Sequence, residues 1–162
     1  MFPDTPFTAN DWSHGLAVLV IAVIGYVLLR RVVRVESKND HRKLRRVLAY
    51  LLFYSALAGM VNAYLRLGGD SFDRIHATEY PLFLCDVVSI VLGVALITKS
   101  QRLTEVGYAW GIAGTMQGLI TPVTRYDFPA PEYFSFFLQH GGVPIAAILL
   151  IWGFGLRPQK GA

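Results

Sequence analysis

The chain is dominated by five long apolar runs that are separated by short polar links. A bilayer core is about 30 Å thick, so a helix needs roughly 20 mostly apolar residues to cross it. Helices of soluble bundles keep a polar stripe for water, whereas these runs are apolar on all sides. The pattern predicts an all-α, polytopic membrane protein in which residues 1–162 form a single domain. Its five transmembrane helices are predicted at residues 13–33, 47–66, 81–98, 105–122 and 135–156.

Basic residues predict the orientation of these helices. Eight lie in the link at residues 30–46, and Lys99, Arg102, Arg157 and Lys160 belong to the same predicted side, against three on the other side. Cytoplasmic loops carry an excess of Lys and Arg, so the N-terminus is predicted outside and the C-terminus in the cytoplasm. Such clusters also suit anionic lipid, and the net charge of +4 therefore predicts no nucleic-acid partner.

Glycines recur along the fourth run at a helical spacing. They are separated by four, three and four residues, which places them on one helix face: Gly107, Gly111, Gly114 and Gly118. Small residues allow the backbones of transmembrane helices to approach closely. We therefore expect this face to pack against other helices and the fourth helix to be central in the bundle.

Polar side chains within the runs are concentrated toward the predicted outer ends of the helices. A rise of 1.5 Å per residue brings Cys85 and His140 to nearly the same depth. Ionisable residues in a span are costly, face the bundle interior by default and indicate function. The group at this depth comprises Asn62, Cys85, Asp86, Gln117, Thr121, Gln139 and His140.

Cys85 and His140 are candidates for a nucleophile and its base. A thiol becomes a strong nucleophile only when a neighbouring group takes its proton. His140 could do so, with Asp86 or Gln139 fixing its tautomer. The alternatives are a packing role for Cys85 and a hydrogen-bonded structural role for His140.

Asp86 has two further explanations. It could form a salt bridge with Arg66 or Arg125, or a hydrogen bond across helices. The few histidines and carboxylates lack the ligand spacing of a metal site, so no metal and no other cofactor is predicted.

Three segments resemble the YwaF-like family of bacterial integral membrane proteins: YPLFLCD (residues 80–86), GYAWGIAGTMQGLITP (107–122) and YFSFFLQHGG (133–142). Animal relatives of that family include a membrane acyltransferase that remodels ether phospholipids. The resemblance implies a multi-pass protein of a bacterial inner membrane that transfers acyl groups on membrane phospholipids. Cys85 would carry the acyl group, and His140 would be the base.

The other polar residues at this depth would then bind substrate. Gln117 and Thr121 would line the pocket or hold the oxyanion, with Gln139 and Asn62 beside them. An alternative is a non-catalytic accessory subunit that assembles with its own copies or packs into a larger membrane complex through the glycine face. A transporter is disfavoured, because the polar residues do not form a path across the membrane and no inverted repeat is present.

Overall fold

The structure is a computed structural model that describes residues 6–8, 11–34, 37–66, 83–124 and 127–157. These residues form helices and no strand. The helices are α1 (Trp12–Arg34), α2 (Lys38–Arg66), α3 (Leu84–Thr98), α4 (Gln101–Trp110), α5 (Met116–Ile120) and α6 (Pro131–Ile148). A π-helical segment at Gly111–Thr115 connects α4 to α5, and another at Leu149–Gly153 follows α6.

Three helical stretches among the described residues are long and apolar enough to cross a membrane. They are Trp12–Arg34, Lys38–Asn62 and Pro131–Gly153, and α3 is apolar but shorter. Most apolar side chains of α1 are exposed on the molecular surface, as contact with lipid requires. The prediction of an all-α membrane protein is confirmed, while five crossings and their orientation stay predictions.

Several helix bounds differ from those predicted by the apolar runs. α2 begins at Lys38 rather than at residue 47, because Lys and Arg are good helix formers that continue the helix beyond its apolar part. α6 begins at Pro131 rather than at residue 135, since proline fits the first turn, where its missing N–H is not needed. The predicted start of the third helix, at residues 81–82, lies outside the described residues.

The core of the described bundle lies between α2, α3 and α6, which corrects the expectation that the fourth helix is central. Trp110, Met116 and Ile120, along the α4–α5 rod, are exposed, so only one side of that rod faces the protein. The buried apolar cluster comprises Ala49, Leu52, Val88, Leu92, Ala95, Leu96, Val143, Ala146, Ala147 and Leu150.

The glycine face of the α4–α5 rod packs against α3 and α6, as the spacing predicts. A Cβ added at Gly107 would lie 2.5 Å from Leu92 Cδ2, so a larger residue there would have to displace the Leu92 side chain. The remaining three glycines also lie close to neighbouring helices: Gly111 against Val143, Gly114 against Leu84 and Gly118 against His140. The close contacts position the end of the rod beside the candidate site on α6.

Candidate functional site

His140 lies in the middle of α6 and is held by its own helix. Its Nδ1 lies 2.9 Å from the carbonyl oxygen of Phe136, one turn earlier. The two rings stack with their centroids 4.1 Å apart. A carbonyl oxygen can only accept, so Nδ1 carries a proton, and in the neutral imidazole Nε2 keeps its lone pair.

Gly118 of α5 provides the space that the His140 ring occupies. A Cβ added to this glycine would lie 2.1 Å from His140 Cδ2 and 2.7 Å from Nε2. No side chain other than hydrogen fits at this distance without displacing the ring. The glycine therefore brings the backbone of α5 against the Nε2 side of the imidazole.

Asp86 connects α3 to α6. Gln139 Nε2 donates a hydrogen bond to Asp86 Oδ1 at 2.7 Å, and the backbone N–H of Phe83 donates to Oδ2 at 3.1 Å. Asp86 and Gln139 are both buried. This is the hydrogen bond across helices that was the alternative to a catalytic role.

The tautomer of His140 is fixed differently from the prediction. The Phe136 carbonyl, rather than Asp86 or Gln139, accepts from Nδ1. No described hydrogen bond joins the Asp86 carboxylate to the His140 ring. A salt bridge from Asp86 to Arg66 or Arg125 would involve side chains that lie outside the described part of the chain.

Cys85 lies in the first turn of α3 and is half-buried. Its carbonyl oxygen accepts a hydrogen bond from Ser89 Oγ at 2.8 Å. Cys85 is connected to His140 only through neighbouring residues. Asp86 follows Cys85, Gln139 precedes His140, and these two are hydrogen-bonded to each other. Within the described residues, no hydrogen bond joins the Cys85 thiol to the imidazole.

The residues predicted to bind substrate have hydrogen-bond partners on different elements. Gln117 Nε2 donates to Thr121 Oγ1 at 2.9 Å, and both side chains are exposed at the end of α5. Asn62 is buried and donates to Ser135 Oγ at 3.2 Å, which joins α2 to α6. The structure thus joins Asp86 to Gln139, the residue before His140, while a common substrate pocket for Asn62, Gln117 and Thr121 stays a prediction.

A second polar cluster, which the sequence reasoning missed, lies where α1 begins. Ser13 Oγ donates to Asp127 Oδ1 at 2.7 Å, and Tyr133 donates to the Ser13 carbonyl at 2.6 Å. His14 Nε2 lies 2.8 Å from the Leu119 carbonyl oxygen. These partners are more than a hundred residues apart in the chain, so helical spacing could not reveal them. Their common location at one predicted helix end was the available signal.

Comparison with known proteins identifies the family. The sequence model of the TMEM164 family, a family of membrane proteins, matches residues 8–161. The chain therefore belongs to the TMEM164 family. No curated protein and no solved structure matches it.

Proposed function

We propose that this member of the TMEM164 family transfers acyl chains between membrane phospholipids, with Cys85 as acyl carrier and His140 as base. The observation that carries the proposal is the 2.7 Å hydrogen bond from Gln139 to Asp86. It fixes the turn that holds Cys85 beside the turn that holds His140. The resemblance to the YwaF-like family independently favours the same two residues.

The protonation of His140 suits a base. Because the Phe136 carbonyl accepts from Nδ1, the lone pair of the neutral ring is on Nε2. The nearby Asp86 carboxylate favours the imidazolium that forms when Nε2 takes a proton. In the resting structure the thiol and the imidazole are not hydrogen-bonded. Chemistry therefore requires that the two groups approach each other or that a substrate hydroxyl lies between them.

The proposed reaction has two steps, acylation of Cys85 and transfer of the acyl chain to an acceptor. The Cys85 thiol gives its proton to His140 Nε2 while Sγ attacks the ester carbonyl of a donor phospholipid. The S–C bond forms, the C–O bond breaks, and the lysophospholipid leaves with the proton from His140. The hydroxyl of an acceptor lysophospholipid then gives its proton to His140 and attacks the thioester. An ester C–O bond forms, the C–S bond breaks, and the thiolate recovers the proton.

Access from lipid supports a lipid substrate. Cys85 is half-buried, and its neighbours Phe83 and Leu84 are exposed apolar side chains. An acyl chain in the bilayer could lie against them with its ester group near the thiol. Asp86 and Gln139 would act as positioning residues, because their hydrogen bond holds the two helix turns together without contact to the reacting atoms.

Detection of the acyl-enzyme tests the proposal. We expect purified protein incubated with a phospholipid mixture to carry an acyl chain on Cys85, which is the only cysteine of the chain. Hydroxylamine at neutral pH should remove it, because thioesters are far more labile to this reagent than oxygen esters. Intact-protein mass spectrometry measures both results.

Two variants separate the roles of the pair. Cys85→Ala should abolish the adduct, and His140→Ala should reduce its rate of formation by about 100-fold or more, the usual contribution of a general base. Ser135→Ala, also on α6 but bonded to Asn62 rather than to the pair, is the control and should retain the adduct. An acyl chain attached at a residue other than Cys85, or none at all in folded protein, would reject the mechanism.

The accessory-subunit alternative was based on the glycine face of the fourth predicted helix. The glycine face of the α4–α5 rod is already packed against Leu92, Val143 and Leu84 of the same chain. A second protein could not use that face without displacing α3 or α6.

A further inference from the structure

A cavity of about 190 Å³ lies at the opposite end of α3 from Cys85. It is lined by Arg42, Arg45 and Arg46 of α2 and by Leu96 and Ile97 in the last turn of α3. Since the three arginines are spaced three and one residues apart, they lie within one turn of α2. The cavity thus has a cationic wall and an apolar wall, and it shares no residue with the candidate catalytic site.

The Arg45 side chain is fixed by contacts with the protein, but one of its N–H donors is not used by them. The residue is 8 % exposed, and its Nη1 donates to the Leu96 carbonyl oxygen at 2.7 Å. Its guanidinium carbon lies 5.8 Å from the centroid of the Phe154 ring. Its Nε–H is buried and has no hydrogen-bond partner among the described residues. A buried donor without a partner is unfavourable, so a small shift of this side chain toward an acceptor in the cavity would be favoured.

The three arginines concentrate positive charge at the cavity. Arg42 and Arg46 are exposed, and each repels the charge of Arg45. In the part of the chain that the structure describes, no carboxylate forms an ion pair with any of the three. An anion in the cavity would relieve this repulsion. Guanidinium groups bind phosphate through paired hydrogen bonds.

We propose that this cavity binds a phosphate group. An anionic phospholipid headgroup and free phosphate share this chemistry. Leu96 and Ile97 add an apolar wall, with Ile97 47 % exposed, against which the glycerol and upper acyl carbons of a lipid can pack. The site requires no acyl transfer, and its occupation would brace α2 against the end of α3.

Binding of short-chain phosphatidylglycerol to the purified full chain in an uncharged detergent tests the proposal. Saturable binding is expected, followed by tryptophan fluorescence or by a rise in the unfolding temperature. The double substitution Arg42→Gln and Arg46→Gln should weaken it by about tenfold or more, because charge-assisted hydrogen bonds are lost. Arg45 is left intact, since its bond to Leu96 also supports the fold.

The control removes the same charge from the same helix end. Lys38 and Lys43 do not line the cavity. The double substitution Lys38→Gln and Lys43→Gln should therefore leave the affinity for phosphatidylglycerol within about twofold, as expected for screened surface charges. Short-chain phosphatidylcholine should bind weakly. If inorganic phosphate competes with phosphatidylglycerol at similar concentrations, the ligand is a small phosphate; if it does not, the ligand is a lipid. Equal losses in both double variants, or no saturable binding of either probe, would overturn the proposal.

Discussion

The imidazole of His140 is held by three contacts, of which only the stacking with Phe136 involves another side chain. Phe136 stacks on the ring and its carbonyl fixes Nδ1, while the backbone at Gly118 lies beside the Cδ2 edge of the ring. Because one face, one nitrogen and the Cδ2 edge of the ring are constrained, the ring can turn only if a neighbour moves. The base proposed for acyl transfer is therefore positioned by packing rather than by a carboxylate.

Gly118→Ala should displace this ring. The added Cβ would lie 2.1 Å from His140 Cδ2, and overpacking of this kind costs typically about 1–3 kcal/mol. Thermal unfolding in detergent, followed by tryptophan fluorescence, measures the effect on stability. Gly15→Ala is the control, since a Cβ there meets nothing within 4 Å and should change stability by less than about 1 kcal/mol. Equal stability of the two variants would mean that α5 does not approach His140 so closely.

At the scale of helices, α6 is hydrogen-bonded to three other helices. It bonds to α3 through Gln139 and Asp86, to α2 through Ser135 and Asn62, and to α1 through Tyr133. Polar side chains within a membrane are satisfied by partners on other helices. The hydrogen bonds therefore fix the rotation of α6 about its own axis, which apolar packing alone leaves less certain.

Gln139→Leu tests the strongest of these connections. It removes the donor and leaves Asp86 Oδ1 buried without a partner, which costs about 1–3 kcal/mol. Gln117→Leu is a matched control, because the same substitution is made at an exposed residue that pairs only with Thr121. It should change stability by less than about 0.5 kcal/mol. Chemical denaturation that shows equal losses for the two variants would contradict the importance of the α3–α6 bond.

The sequence predicted helices well where a local pattern determines them. Trp12–Arg34 follows its apolar run closely, and the glycine spacing indicated the face that packs on α3 and α6. The start of α2 escaped prediction because charged residues continue a helix without any change of hydrophobic period. The bond between Asp86 and Gln139 was one of several alternatives. Which partner Asp86 bonds to depends on how α3 and α6 are rotated about their axes, and no local sequence spacing determines that rotation.

At the scale of the whole molecule, hydrogen bonds between elements define two opposite ends. At one end, His14 lies 2.8 Å from the Leu119 carbonyl and Tyr133 donates to the Ser13 carbonyl. At the other, Arg45 donates to the Leu96 carbonyl. The second end also holds the contacts of His41 with Val32 and of Gln101 with Arg157. The described basic residues of the link between α1 and α2 therefore share an end with Lys99, Arg102 and Arg157.

This segregation makes the predicted orientation testable. Positive residues are retained on the cytoplasmic side, so the end with Arg45 should be cytoplasmic and the end with His14 should be outside. In a Cys85→Ala background, single cysteines at Ser37 and Val123 report the two ends; Val123 is 89 % exposed. A membrane-impermeant maleimide should label Val123→Cys in intact cells and Ser37→Cys only after permeabilisation. The reverse pattern would place the Cys85 and His140 turns toward the cytoplasm, so that acyl transfer, if detected, would act on the inner leaflet.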